Sequence, residues 1–254
     1  MNPFSLHGRT ALVTGGSRGI GLGIARALAA SGASIILVAR HLDPNAQHIN
    51  ELRAAAPKLS LCPFDLSRIR DIEPWFKEVC IRNGQPDILV NAAGVTVRGE
   101  AIGFDLKDWE DIMRLNTTAV FELSRCFARA LIAEQLPGRI VNVASLMTVA
   151  ARIGTAAYTA SKGALGQLTK ALAVEWAPYR ILVNAVAPGY IATDLTRNLS
   201  QDPKFDAWVK QRCPLGRWGT PDDVAWPAVF LASAASSFIT GQTLFADGGW
   251  LCTF

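Results

Sequence analysis

The sequence predicts an α/β domain, a doubly wound parallel sheet of about seven strands with helices on both faces. Three observations carry this. Short apolar runs rich in Val, Ile and Leu alternate with longer amphipathic stretches along the whole chain. The first run is followed at once by a glycine turn and a helical pattern. Several runs end in small or polar residues, as strands do where ligands approach the carboxyl edge of an open sheet. No linker-like composition or internal repeat divides the chain, so residues 1–254 read as one domain.

Composition narrows the function classes. A chain of 254 residues, 50% hydrophobic and 18% charged, can bury a sizeable core and is not disordered. Its net charge of +4 is scattered, with no basic block or aromatic-basic stripe. That argues against nucleic acid as a partner and agrees with an anionic small molecule. Cys62, Cys80, Cys126, Cys213 and Cys252 are dispersed and contain no CxxC, so they read as reduced thiols. Met1 to Thr10 lacks a leader-type apolar stretch, and no run approaches the ~18 residues that span a membrane. The expected setting is the cytoplasm.

The first strand, Thr10 to Thr14, runs into Gly15-Gly16-Ser17-Arg18-Gly19-Ile20-Gly21, and Ile20, Ile24 and Leu28 follow at helical spacing. Strand, glycine turn and helix open a Rossmann-type dinucleotide unit: glycines let the backbone approach a pyrophosphate, and the helix start offers unpaired N–H groups. The strict G-x-G-x-x-G pattern fails at Ile24; Thr14, Gly15, Gly19 and Gly21 write T-G-x-x-x-G-x-G instead. A glycine-rich turn without a ligand has the same appearance. Gly15 to Gly19 also fits G-x-S-x-G, the nucleophile elbow of hydrolases. That chemistry needs a late histidine, and the histidines are His7, His41 and His48, so it is rejected. The same shortage argues against a zinc- or histidine-based mechanism.

The second strand, Ser34 to Ala39, ends in Arg40 where an NAD site would carry a carboxylate. Arg40 and Arg18 suit a 2′-phosphate, which favours NADP(H) and leaves NAD(H) as the alternative; a solvated loop arginine is the competing explanation. Asp43-Pro44 predicts the N-cap and first turn of the next helix. A third strand near Leu59 to Phe64 leads to Asp65-Leu66, where the carboxylate either meets an adenine amino group or caps a turn. A helix through Trp75 and Phe76 precedes the fourth strand, Asp87 to Asn91, and the small residues Ala92-Ala93-Gly94.

One long helix is expected from Lys107 to Glu134. Asn116 within it is a poor helix former, read either as an irregularity that binds water near the site or as an ordinary surface asparagine. The fifth strand, Arg139 to Ser145, brings Ser145 to the ligand edge, and the sixth, Ile181 to Ala187, ends in Pro188-Gly189. Residues 188–220 lose strand-helix regularity and carry Phe205 and Trp208, which predicts a mobile substrate lid. A helix from Pro221 to Ser233 and a strand near Thr243 to Ala246 close the pattern before Asp247-Gly248-Gly249.

Tyr158 and Lys162, four residues apart, share one helix face. Lowering a phenol from about 10 to around neutrality requires roughly 4 kcal/mol. A cation at about 5 Å in an effective dielectric of ~20 supplies about 3 kcal/mol of it. Taken alone, the pair also fits an exposed helix face with no role.

These motifs together resemble the short-chain dehydrogenase/reductase family over nearly the whole length: Thr14 to Gly21, Asn91-Ala-Ala-Gly94, Asn116, Ser145, Tyr158-Thr-Ala-Ser-Lys162, Pro188-Gly189 and Asp247-Gly-Gly249. Asn-Ala-Ala-Gly departs slightly from the commoner Asn-Asn-Ala-Gly. The resemblance implies Tyr158 as general acid or base, Lys162 lowering its pKa and holding the nicotinamide ribose, Ser145 polarising the carbonyl, and Asn116 anchoring a water that links Lys162 to solvent. It places the cofactor along Gly15, Ser17, Arg18, Gly19, Ile20, Gly21, Arg40, Asp65, Leu66, Asn91, Ala92, Gly94, Tyr158, Lys162, Pro188, Gly189, Ile191 and Thr193, with no metal. It also implies a homotetramer with the long helices between subunits.

The substrate is then a small carbonyl compound or secondary alcohol. Arg217-Trp218-Gly219 and the tail from Phe230 to Gly249 look most like gluconate 5-dehydrogenases and related sugar-acid or polyol dehydrogenases. Arg98 and Arg152, in loops after the fourth and fifth strands, are candidates for a substrate carboxylate, alongside Met147 and Tyr190; surface arginines paired to Glu100 or water would look the same. Pro214-Leu-Gly-Arg217 also resembles 3-oxoacyl carrier-protein reductases, which stand as the rival. A non-catalytic dinucleotide-binding scaffold is the third reading, against which all four of Asn116, Ser145, Tyr158 and Lys162 are present.

Overall fold

A computed structural model describes residues 2–253. In chain order the elements are β1 (Thr10–Thr14), α1 (Gly19–Ala30), β2 (Ser34–Ala39), α2 (Gln47–Ala55), β3 (Leu59–Pro63), α3 (Ile72–Asn83) and β4 (Ile88–Asn91). There follow α4 (Leu106–Met113), a π-helical turn (Arg114–Thr118), α5 (Ala119–Ala133), β5 (Gly138–Val143) and α6 (Ala156–Trp176). The chain closes with β6 (Ile181–Pro188), α7 (Arg197–Ser200), α8 (Pro203–Arg212), α9 (Pro221–Ala232) and β7 (Thr243–Ala246). All seven strands are parallel, in the order β3-β2-β1-β4-β5-β6-β7.

The sheet is buried on both faces, which is why its strands read as continuous apolar runs. Ala11 and Val13 of β1 face the layer of α1, α2 and α9, against Ile24, Leu28, Leu52 and Val224. Leu12, between them, faces α3, α5 and α6 with Phe76, Leu123, Phe127 and Leu172. The period of two along a strand divides one run between two cores. Because β1 leads to β2 on one side and lies against β4 on the other, the order reverses between β1 and β4. Open sheets of this kind hold ligands above that point, at the carboxyl edge.

Three sequence expectations are corrected. Asp43-Pro44 does not start a helix: the Asp43 carboxylate accepts the Asn45 N–H at 2.9 Å in a local turn, and α2 begins only at Gln47. The fifth strand stops at Val143, because Ser145 caps a short 3₁₀ turn over Leu146–Thr148 by accepting the Met147 N–H at 3.2 Å. The single helix expected from Lys107 to Glu134 is interrupted by the π turn, with Asn116 inside it. Such turns arise where a side chain bonds outside its own helix.

Candidate active site

Thr14 pins the switch point. Its Oγ1 donates to the Val90 carbonyl at 3.2 Å and accepts the N–H groups of Ala92 and Ala93 at 3.0 and 3.1 Å, tying β1 to the end of β4. Gly15 sits directly above, at φ +65°, where an added Cβ would lie 2.8 Å from the Ala93 nitrogen. At Gly21 a Cβ would lie 2.3 Å from the Gly15 carbonyl oxygen. The turn therefore keeps its backbone uncovered and close to the start of α1. That helix has no side-chain cap and no acidic residue in its first turn, so its N–H groups are free to meet an anion.

Arg18 and Arg40 rim this cradle, both exposed and neither in an ion pair among the described residues. Asp65 lies within the field of Arg40. Burial raises its pKa, but bonding to Ser67 and the charges of Arg40 and Arg68 outweigh this and hold it below the usual carboxylate range. Its Oδ1 accepts the Ser67 N–H at 2.9 Å, so it caps a turn at the crevice edge. The uncovered glycine backbone and the two unpaired guanidinium groups fit a dinucleotide that carries an additional phosphate.

The remaining cofactor candidates divide by side-chain direction. Thr193 lies over the glycine turn, its Cγ2 at 3.5 Å from where a Gly19 Cβ would stand. Gly189 passes so close to Asp247 that a Cβ would come within 2.8 Å of the Asp247 Cα, and thus Pro188-Gly189 and the closing Asp-Gly-Gly motif meet. Ser17 is half-buried in the turn. Ile20, Ala92 and Ile191 pack on the α1/α9 core and Leu66 on the opposite one. Asn91 faces away from it, bonding Ser124 on α5 at 3.1 Å and Asn142 on β5 at 2.9 Å. Asn142 in turn donates to Thr169 on α6 at 2.9 Å, a buried polar ladder that aligns the two central strands with the helix layer.

Asn116, Ser145, Tyr158 and Lys162 converge beyond Gly94. An added Cβ there would lie 3.2 Å from Asn116 Oδ1 and 3.8 Å from Lys162 Nζ. Fully buried Asn116 accepts the Val95 N–H at 2.9 Å and donates to the Val95 carbonyl at 2.9 Å and to Ser161 Oγ at 3.0 Å. Both of its amide hydrogens are thus engaged in clamping the loop after β4 onto α6. Ser161 donates to the Tyr158 carbonyl at 2.8 Å and completes this joint. Lys162 donates to the Val143 carbonyl at 2.7 Å, and burial brings its pKa down to about 8.

Tyr158 is half-buried. Burial pushes its hydroxyl above the usual tyrosine value, and a hydrogen bond from Ser145 and the charge of Arg98 pull it partly back. The Lys162 ammonium stands 5.7 Å from the ring centroid, but it is turned toward Val143.

Arg98 and Arg152 meet at the mouth of the site. Burial, then the Arg152 charge, lowers the Arg98 pKa, with Tyr190 and Tyr158 acting in the opposite sense. Neither guanidinium is paired with a carboxylate among the described residues, Glu100 included. Their loops are joined by the Gly99 N–H donating to the Gly154 carbonyl at 3.2 Å. Arg152 donates to the Tyr190 hydroxyl at 3.3 Å and lies 4.5 Å from the Phe205 centroid and 5.4 Å from that of Trp208. Phe205 and Trp208 belong to α8 in the 188–220 segment, which forms a small core of its own with Met147, Tyr190, Trp218 and Trp250. A cavity of about 450 Å³ lies beneath it, lined by Tyr190, Val209, Phe245 and Trp250, and does not include Tyr158. Arg217 braces the start of α9, forking onto Asp223 at 2.7 and 2.9 Å.

The family model described as enoyl-(acyl carrier protein) reductase matches residues 15–251. A 2-dehydro-3-deoxy-D-gluconate 5-dehydrogenase of Dickeya dadantii (strain 3937) is 41% identical over 251 residues, covering 99% of this chain and 98% of that protein. The chain belongs to the short-chain dehydrogenase/reductase family. This dehydrogenase/reductase is also 41% identical to a gluconate 5-dehydrogenase of Gluconobacter oxydans (strain 621H), across 97% of this chain and 96% of that one. A crystal structure of a gluconate 5-dehydrogenase from Burkholderia cenocepacia J2315, in complex with NADP and tartrate, superposes with a TM-score of 0.95 at 41% identity. It covers 100% of this chain and 99% of that one.

Three contributors escaped the sequence reading of the site. Thr14 and Ser161 stand inside the quoted motifs, where their hydroxyls could have been suspected of fixing the turn and the helix. The contact of Phe205 and Trp208 with Arg152 spans more than fifty positions and left no local signal.

Proposed function

We propose that this protein interconverts a secondary alcohol and a ketone on a sugar acid, such as gluconate and 5-ketogluconate, with NADP(H) as redox partner. The observation that carries the sugar-acid reading is the pair Arg98 and Arg152, two guanidinium groups on joined loops without a carboxylate partner among the described residues. A substrate carboxylate would neutralise them through charge-assisted bonds. A thioester would leave both charges unanswered, which weighs against the 3-oxoacyl carrier-protein alternative.

The bound nicotinamide supplies or accepts the hydride. The chain's residues manage position and protons. In the reducing direction Tyr158 gives its proton to the carbonyl oxygen while Ser145 donates a hydrogen bond to that oxygen, which steadies the developing charge. The downward pull of Ser145 on the Tyr158 pKa supports this pairing of roles. Lys162 is the residue that would hold the ribose and feed protons toward Tyr158. The Asn116 clamp supports a relay water only outside its amide hydrogens, which Val95 and Ser161 occupy. Arg18 and Arg40 would hold the 2′-phosphate, Thr193 the carboxamide, and residues 188–220 would lie over the substrate as a lid.

A homotetramer is the proposed assembly. Supporting it, Thr117 of the π turn, Phe121 of α5, and Ala164, Leu168 and Ala171 of α6 line an apolar groove, with Phe121 41% exposed. Among the described residues no helix is long and apolar enough to cross a membrane. The free cysteines support a cytoplasmic setting.

The test is nicotinamide absorbance with purified protein, NADPH or NADH, and a panel of 5-ketogluconate, neutral keto sugars and a β-ketoacyl thioester. Preference for NADPH with 5-ketogluconate is the expected result. Turnover of the thioester alone would overturn the sugar-acid reading.

A further inference from the structure

The guanidinium of Arg152 is held by residues of a different part of the chain. Phe205 and Trp208 of α8 present their rings to it at 4.5 and 5.4 Å, and the Tyr190 hydroxyl accepts from Nη1 at 3.3 Å. These walls are themselves fixed. Phe205 and Trp208 lie 5.2 Å apart, Tyr190 meets both edge-on at 5.6 and 5.8 Å, and Trp208 leans on Trp250 at 5.1 Å. The Trp218 indole N–H donates to Asp206 at 2.9 Å, which anchors the middle of α8. A long arginine in a loop would otherwise sample many rotamers, and ordering it on binding would cost affinity.

Aromatic faces hold a cation without neutralising it. A carboxylate at this position would have satisfied Arg152 and closed the site to acids. The cage instead keeps the positive charge in place and unpaired, close enough to Arg98 for the two charges to repel. We propose that Phe205 and Trp208 are positioning residues that, with Tyr190, pre-orient Arg152 for the carboxylate of the substrate. The lid thereby sets the preference for an acid over the corresponding neutral polyol. This rests on the sugar-acid reading above and assigns its selectivity to the lid.

The experiment uses the full-length protein with NADP⁺ and two substrates, gluconate and glucitol, which differ in carboxylate against hydroxymethyl. The quantity read is the ratio of kcat/KM for the two, in wild type, Trp208→Leu, Trp208→Phe, Phe205→Leu, Arg152→Gln and the double variant Arg152→Gln/Trp208→Leu. Each leucine variant is expected to lower the ratio about three- to thirtyfold, through a rise in KM for gluconate that exceeds any change for glucitol. Trp208→Phe, which retains a ring, should keep most of the preference, and Trp208→Leu should add nothing once Arg152 is gone.

Equal losses on both substrates, or an undiminished Trp208 effect in the Arg152→Gln background, would show a general packing role and overturn the proposal. Should Trp208→Leu not fold, Phe205→Leu carries the same test from the other wall. A wild type that prefers gluconate, with leucine variants that do so equally, overturns this proposal alone. A wild type that treats both substrates alike removes the sugar-acid reading, and this proposal with it.

Discussion

The Lys162 ammonium rests on the backbone carbonyl of Val143, 2.7 Å away, at the end of the strand that also delivers Ser145. The end of β5 and the turn after it thus hold two members of the candidate catalytic group. Burial of the ammonium lowers its pKa from 10.5 to about 8. Below the lower value both folded and unfolded chains carry the proton, and the full cost of the buried charge is present. Between the two values the unfolded chain binds a proton that the folded one has released, so this group's contribution to stability rises with pH.

Lys162→Met should therefore be inactive yet more stable at neutral pH, by about 1–3 kcal/mol. The gain should shrink between pH 8 and 10.5, the two values that bound the shift. Thermal unfolding of both proteins across that range checks it. A stability difference independent of pH would mean that the lysine is not buried as a charge.

Tyr158→Phe removes the hydroxyl that meets Ser145 and leaves the ring. The expected loss in kcat is about 10²–10⁴-fold, with unchanged NADPH affinity in fluorescence titration. Activity equal to wild type would remove Tyr158 from the proton path.

Asn116→Ala unties Val95 and Ser161 together. With buried partners left unsatisfied, unfolding free energy should fall by about 2–4 kcal/mol, and turnover should fall with it as Gly94 and Lys162 lose their common support. Denaturant unfolding reads the first effect and steady-state kinetics the second. A stable, slow variant would indicate a role confined to the proton path.

Arg40→Asp should weaken NADPH far more than NADH, because it removes a guanidinium free of ion pairs and places a carboxylate near Asp65. Paired titrations with the two cofactors decide this. Unchanged NADPH affinity would leave Arg18 as the phosphate partner.

Gly21→Ala forces a Cβ to within 2.3 Å of the Gly15 carbonyl oxygen unless the turn opens. The thermal stabilisation conferred by NADPH should be largely lost. Retention of the full upshift would mean that the turn has slack the geometry does not show.

How much was legible in the sequence depended on how local the cause was. The strands, the glycine turn and the placement of Tyr158 above Lys162 follow from period and spacing, and these appeared as expected. The π turn was partly visible, since Asn116 stood out as a poor helix former, but its clamp on Val95 needed the loop after β4 in place. Asp43 misled because the same side chain serves a local turn and a helix cap equally well.

Residue identity and spacing alone determined the parallel sheet, the dinucleotide cradle and the family of this protein, because each rests on contacts within a few residues or on a period along one element. Only the tertiary structure decided which way the shared groups point. It turned Asn91 into the core, Lys162 onto Val143, and Arg152 into the rings of α8. The reason is physical: a side chain's charge state and direction are set by burial and by neighbours distant in the chain, and neither is written in local spacing.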